Sequence, residues 1–235
     1  MSVDASTNQP RGDRIFIVVA AYNEAAVIRD VIAQLRASQP NVIVVDDAST
    51  DGSAERLAGL DVHLLRHTLN RGQGASLQTG IDFAVRRGAD VIVTFDADGQ
   101  HDPDDIPGLI APIVRGKCDV CLGSRFLGET ENMPRARWLT LKAGILFTRV
   151  FSGVKTTDVH NGLRALSREA AGSIQITMDR MAHASEILDQ IRANRLRFQE
   201  VPVKIRYSQR SLEKGQSSWA AIRIALQIFH KKLSP

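Results

Sequence analysis

The sequence has no long hydrophobic run. None of its apolar stretches approaches the ~18 residues of a membrane span, so a bilayer-embedded chain is not expected. Its first residues, MSVDASTNQPRGDR, are polar and carry acids. They lack the apolar segment of a secretory signal, which makes the cytoplasm the expected address. Cysteine is scarce. Cys118 and Cys121 form a single C-x-x-C within CDVCLG, and no second pair exists to complete a zinc site. The segment alternates like a strand, on which residues three apart face opposite ways. A redox pair is therefore not expected either. The six histidines (His63, His67, His101, His160, His183 and His230) show no metal-ligand spacing among themselves. No repeat, linker or low-complexity segment breaks the chain.

At 235 residues and 43% hydrophobic content, the chain suits one large domain with a packed core. Residues 1–12 read as a disordered leader and 13–235 as the domain. Charge is unevenly spread. From Gln190 onward ten Lys/Arg stand against two acids, a net +8, whereas the preceding residues sum to −4. An acidic middle and a basic tail fit a cation held on one side and anions met on the other.

Apolar runs of strand length alternate with helical patterns. Strands are expected at 14–22, 41–47, 62–67, 90–98 and 118–126. Helices are expected at 23–38, within ASTDGSAERLAGL with Asp51 or Ser53 as cap, at 72–88, and over DDIPGLIAPIVRG. Buried strands alternating with helices imply a mostly parallel sheet covered on both faces. Ligands of such sheets sit at the carboxyl ends of the strands. The polar motifs fall there: Tyr22-Asn23-Glu24, then Asp46-Asp47, then Asp96-Ala97-Asp98.

The last of these is the most acidic. Asp96, Asp98, Asp102, Asp104 and Asp105 fall within ten residues, and like charges this close repel. Asp96 and Asp98 at a strand end can present two carboxylates to one hard cation, Mg²⁺ or Mn²⁺, with substrate phosphates completing the shell. Asp102, Asp104 and Asp105 suit a helix N-terminus, where acids are favourable. NRGQGASLQTG (70–80) is rich enough in glycine to approach an anion, but it lacks the Gly-Lys-Ser/Thr of a P-loop.

In order and spacing, VVAAYNEAAVIRDVI, VIVVDDASTDGSAE, NRGQGASLQTGIDFA and VIVTFDADGQHDPDDI resemble the family 2 glycosyltransferases. CLGSRF, TDVHNGLRALSREA and EVPVKIRYSQRSLEKGQSS resemble the dolichyl- or polyprenyl-phosphate sugar synthases among them. The resemblance implies a single GT-A domain, with an α/β, mostly parallel sheet flanked by helices. It also implies inverting transfer of a sugar from a nucleotide-diphosphate sugar to a membrane-held polyprenyl phosphate, in cell-envelope glycan synthesis. By that resemblance Tyr22, Glu24 and Asp47 hold base and ribose. Asp96, Asp98 and Gln100 stand at the metal and diphosphate. Arg210 and Lys214 belong to a mobile basic loop, 206–218, that closes over the donor. Ala20-Ala21 departs from the proline usual before Tyr-Asn-Glu. No counterpart of the C-terminal membrane helices of some relatives is expected in these residues.

An ionised lipid phosphate needs no general base, but it needs arginines to position it. Arg125 and Arg137 fit that role, with Arg135 the rival to Arg137. The alternative acceptor, a hydroxyl of a lipid-linked or cell-surface glycan, needs a base in reach. Asp158 and Glu186 are the available carboxylates. Residues 218–233 place Trp219, Ile222, Leu226, Phe229 and Leu233 on one helical face and Arg223, Gln227, His230 and Lys231 opposite. Such a helix suits either a membrane surface or the domain core. In the first case the protein sits peripherally at the inner face of the plasma membrane. No nucleic-acid partner is expected, because an acidic crevice repels it.

Overall fold

The computed structural model describes residues 14–152, 154–178 and 182–207. Seven strands form one sheet: β1 (Ile15–Ala21), β2 (Val42–Asp46), β3 (His63–Arg66), β4 (Val91–Asp96), β5 (Val120–Glu131), β6 (Arg164–Ser167) and β7 (Phe198–Arg206). Their order is β3-β2-β1-β4-β6-β5-β7. Only β6 runs antiparallel to its neighbours. The expected strands are all present within a residue or two at their starts. β5 is longer than expected and continues past an irregularity between Ser124 and Glu129.

The continuous apolar runs are buried because both sheet faces are covered. Ile17, Val18 and Val19 are each at 0% exposure, although successive side chains point to opposite faces. Helices α1 (Ile28–Ser38) and α3 (Ile106–Val114) close one core with Val19, Val44 and Phe95. On the other face α2 (Gln73–Arg86), α5 (Arg168–Ser173) and α6 (His183–Ala193) pack with Val18, Val45 and Ile92. The long helix α4 (Arg135–Ser152) follows β5.

Two expected helices are shortened, for local reasons. The chain after β1 turns at Asn23, which has φ 55°. Ala25 N–H then donates to the Asp51 carboxylate, so α1 starts at Ile28 rather than at 23. ASTDGSAERLAGL forms only a 3₁₀ turn, Glu55–Leu57. Asp51 accepts from Ser53 N–H and the Ser53 hydroxyl accepts from Glu24 N–H. Side-chain bonds of this kind compete with helix.

Register levels the strand ends. Asp46 pairs across from Ala21 and Asp96 across from Ala20, so the acids of β2 and β4 flank β1. The strand order reverses direction there, which is where open α/β sheets bind ligands.

Candidate active site

Tyr22 stands at the tip of β1 with 46% of its surface exposed. The turn behind it is sewn to the loop after β2. Asn23 N–H donates to Ser49 Oγ, and Thr50 N–H donates to Asn23 Oδ1. Glu24 is buried beside them. Asp46 is buried, 3.4 Å from Arg66 Nε. Asp47 organises the glycine-rich loop: its carboxylate accepts from Arg71 N–H at 3.0 Å and Gly72 N–H at 2.6 Å. His67 Nδ1 lies 2.7 Å from the same carboxylate, and His67 Nε2 lies 3.0 Å from Thr79 Oγ1. Gly72 has φ 97°, a conformation glycine adopts without the Cβ clash.

That loop delivers Gln73 to the acidic pair. Gln73 Nε2 donates to Asp96 Oδ1 at 2.8 Å, and His101 Nε2 lies 3.0 Å from Asp96 Oδ2. Burial acts to raise the Asp96 carboxyl. The His101 hydrogen bond and the charges of His101, His183 and Arg164 outweigh it and hold the group below its usual range. Asp98 goes the other way: burial, then the neighbouring Asp96 charge, push it up. Gln100 donates to Asp98 through both its backbone N–H, at 3.0 Å, and its side-chain amide, at 2.6 Å. Gly162 leaves room for Asp96, since a Cβ there would lie 2.3 Å from Asp96 Oδ2. Arg164, buried behind them, is lowered to about 10 by desolvation.

Among the described residues no three His, Cys, Asp or Glu side chains group as a complete metal cage. Two neighbouring oxygen-donor carboxylates, one of them raised by burial and then by the charge of the other, still suit a hard dication. Such an ion takes one or two carboxylates and completes its shell with phosphate and water. The residues present fit Mg²⁺ or Mn²⁺ in that mode, with Asp96 and Asp98 the carboxylates that would hold it. Gln100 stands as the hydrogen-bond partner of Asp98.

The arginines meet elsewhere. Arg125, 7% exposed, donates through Nε to Asp158 at 2.6 Å and through Nη1 to Tyr207 Oη at 2.7 Å. Burial works against its charge; Asp158 and Tyr207 outweigh that and raise it. The Arg137 guanidinium lies 5.3 Å from the Tyr207 ring centroid, and its buried Nε has no hydrogen-bond partner among the described residues. Glu200 fixes the loop below by accepting from the Thr156 hydroxyl at 2.7 Å and Thr157 N–H at 2.8 Å. Arg125 and Arg137 thus share Tyr207, whereas Arg135 is exposed at the start of α4.

The family model for glycosyl transferase family 2 matches residues 16–174. The chain is a family 2 glycosyltransferase. This glycosyltransferase is 34% identical, over 93% of its length and 94% of the relative's, to the UDP-N-acetylglucosamine–dolichyl-phosphate N-acetylglucosaminyltransferase of Methanococcus voltae. It is 32% identical, over 95% and 88%, to the polyprenol monophosphomannose synthase of Mycolicibacterium smegmatis. These relatives put the glycosyltransferase near the polyprenyl-phosphate sugar synthase branch. Its fold is GT-A. It superposes with a TM-score of 0.70, at 20% identity and over 93% and 81% of the two chains, on the glucosyl-3-phosphoglycerate synthase of Mycobacterium tuberculosis, solved with Mn²⁺, UDP and glucosyl-3-phosphoglycerate.

Several expectations need correction. Arg206 is not loop: it ends β7, pairs with Asp102 at 2.6 Å and donates its N–H to Gln100 O at 2.9 Å. Tyr207 is buried. Residues 208–218 of the expected loop, with Arg210 and Lys214, lie outside the described residues, as do the leader 1–12 and the helix 218–233. Cys118 and Cys121 do not face opposite ways. Cys118 precedes β5, so strand alternation does not apply to it, and both side chains enter one core. They are unbridged. His101, Gln73 and Tyr207 escaped the sequence reading as site residues. His101 had a signal, its place five residues after Asp96. Gln73 and Tyr207 meet their partners only through tertiary contact.

Proposed function

We propose that this glycosyltransferase moves a sugar, with inversion, from a nucleotide-diphosphate sugar to a polyprenyl phosphate, and that it depends on a divalent metal. The names of its relatives, one a dolichyl-phosphate N-acetylglucosaminyltransferase and one a polyprenol monophosphomannose synthase, support the acceptor. The observation that carries the reading is the convergence of Arg125 and Arg137 on Tyr207. A cationic guanidinium with an unmet buried N–H suits a bidentate phosphate contact.

In this reading Tyr22 covers the base, and Glu24 and the loop anchored by Asp47 border the ribose and phosphates. Bound at Asp96 and Asp98, Mg²⁺ or Mn²⁺ supplies positive charge for the departing diphosphate. The acceptor phosphate oxygen forms a bond to the anomeric carbon as the bond to the diphosphate oxygen breaks. No proton has to be removed, so no base is assigned. That agrees with Asp158, which is committed to Arg125, and with Glu186, which is buried and accepts from Thr177 and Met178 N–H at 3.0 and 2.9 Å. Arg210 and Lys214 are assigned to a lid over the donor, and residues 13–235 to one domain.

The test is Arg137→Ala, with donor binding measured by calorimetry beside transfer to a short polyprenyl phosphate. Losing a hydrogen bond to a charged group costs about 1.5–3 kcal/mol, or roughly 10- to 150-fold in transfer, while donor affinity stays level. Lost donor affinity would put Arg137 on the diphosphate and contradict the assignment.

A further inference from the structure

The outer face of α4 is unusual for a helix on a globular domain, whose solvent side is normally polar. Leu139 and Leu146 are 66% and 65% exposed, the most of any large apolar side chains among the described residues. Trp138 beside them is 48% exposed. The buried side is separate and carries Leu141, Ile145 and Thr148. Along the outer face Arg135, Leu139, Lys142 and Leu146 succeed one another at helical spacing, alternating cation and leucine. Lys142 Nζ sits 3.9 Å from the Phe126 ring centroid and 5.7 Å from that of Trp138. From Asn132 to Thr157 there are five Lys/Arg and no Asp or Glu.

We infer that this face of α4 docks on an anionic lipid surface. Exposed Trp and Leu beside unopposed cations are the composition of a helix lying in a membrane interface, and charge complementarity selects the occupant. A second copy of the chain would bring two such basic helices together. The chain's own residues 218–235 carry three Lys/Arg and no acid, so they too are repelled by α4. A leaflet rich in anionic headgroups attracts each Lys or Arg and accepts the leucines and Trp138. The placement also serves the site: Arg137 lies on the first turn of α4 and stacks on Tyr207. Docking through α4 would bring that arginine to the depth of a lipid-anchored phosphate. The inference goes beyond the proposed reaction, because vesicle binding does not require transfer.

The experiment is flotation of the full chain with vesicles of phosphatidylcholine alone, or of phosphatidylcholine with a large fraction of phosphatidylglycerol. Wild type should float with the anionic vesicles, less so as salt rises, and not with the neutral ones. Leu139→Glu combined with Leu146→Glu should weaken that binding by on the order of tenfold or more, since the lipid no longer buries two exposed leucines and meets two acids instead. Both positions are exposed, so the variant should keep its circular dichroism and melting temperature. It should also keep transfer to a short, water-soluble prenyl phosphate. The inference is overturned if the variant binds vesicles like wild type. It is overturned if wild type binds no anionic vesicles, or if the substitutions split a dimer in sedimentation, which would make a second copy the occupant. It is equally overturned if Trp219→Glu with Phe229→Glu removes all vesicle binding while the α4 pair removes none. α4-dependent binding by a protein that transfers nothing would uphold the docking face and count against the proposed function alone.

Discussion

At the scale of single residues, the site is a set of charges whose neighbours decide their roles. Asp98 is held half-buried against Asp96, and its carboxyl is raised by burial and by that charge. Removing it should relieve repulsion rather than unfold the protein. Asp98→Ala is expected to lower turnover by on the order of 10²-fold or more with an unchanged or slightly raised melting temperature. Activity near wild type would contradict the metal assignment. Arg125 is different. Its partner Asp158 is 4% exposed, so Arg125→Ala strands a buried carboxylate and should cost about 3–5 kcal/mol of stability. Urea unfolding measures this, and a loss of transfer with intact stability would contradict the clamp. Gly162→Ala places a methyl 2.3 Å from Asp96 Oδ2. It should weaken metal-dependent donor binding while leaving the sheet in place, and unaltered binding would show that Asp96 can move without consequence. Asp96, Asp98 and the strand-end acids were legible in the sequence because an apolar run ending in carboxylates needs no tertiary information. Tyr207, Glu200 and Gln73 were not, because their partners lie 82, 43 and 23 residues away and nothing local marks them.

At the scale of elements, periodicity identified β1, β2, β4, α2 and α3 because their apolar patterns coincide with their burial. It failed where side chains bond the backbone: the Asp51–Ser53–Glu24 links replace the first turn of α1 and most of the helix after β2. The antiparallel β6 was unread for another reason. Four residues, RALS, give too short a pattern, and only their place between β4 and β5 makes them a strand. The outer strands are tied by an ion pair, Arg197 to Asp119, with contacts at 2.7 and 3.1 Å. The Arg197 hydrogen bond outweighs burial and lowers the Asp119 carboxyl. A lowered native value contributes stability above the ordinary Asp value of 3.8. That contribution is lost as pH falls through the lowered value. Asp119→Asn should therefore flatten the acid limb of a plot of melting temperature against pH, and an unchanged limb would contradict the pairing.

At the scale of the molecule, one sheet carries two groupings at its carboxyl edge: the acidic pair Asp96 and Asp98 beside the glycine-rich loop, and arginines gathered on Tyr207. The GT-A architecture was legible as alternating runs, and the family as an ordered set of motifs. The join between β7 and the acidic loop was not, since Arg206 meets Gln100 and Asp102 only in the folded chain. Among the described residues no helix is long and apolar enough to cross a membrane. The most direct test of the central claim is mass spectrometry of a short polyprenyl phosphate incubated with the full chain, Mg²⁺ or Mn²⁺, and a panel of UDP- and GDP-sugars. The prediction is a prenyl phosphate heavier by one sugar residue with at least one donor, and no such product in EDTA. Release of nucleoside diphosphate with the lipid unchanged across the panel, or full product in EDTA, would contradict it.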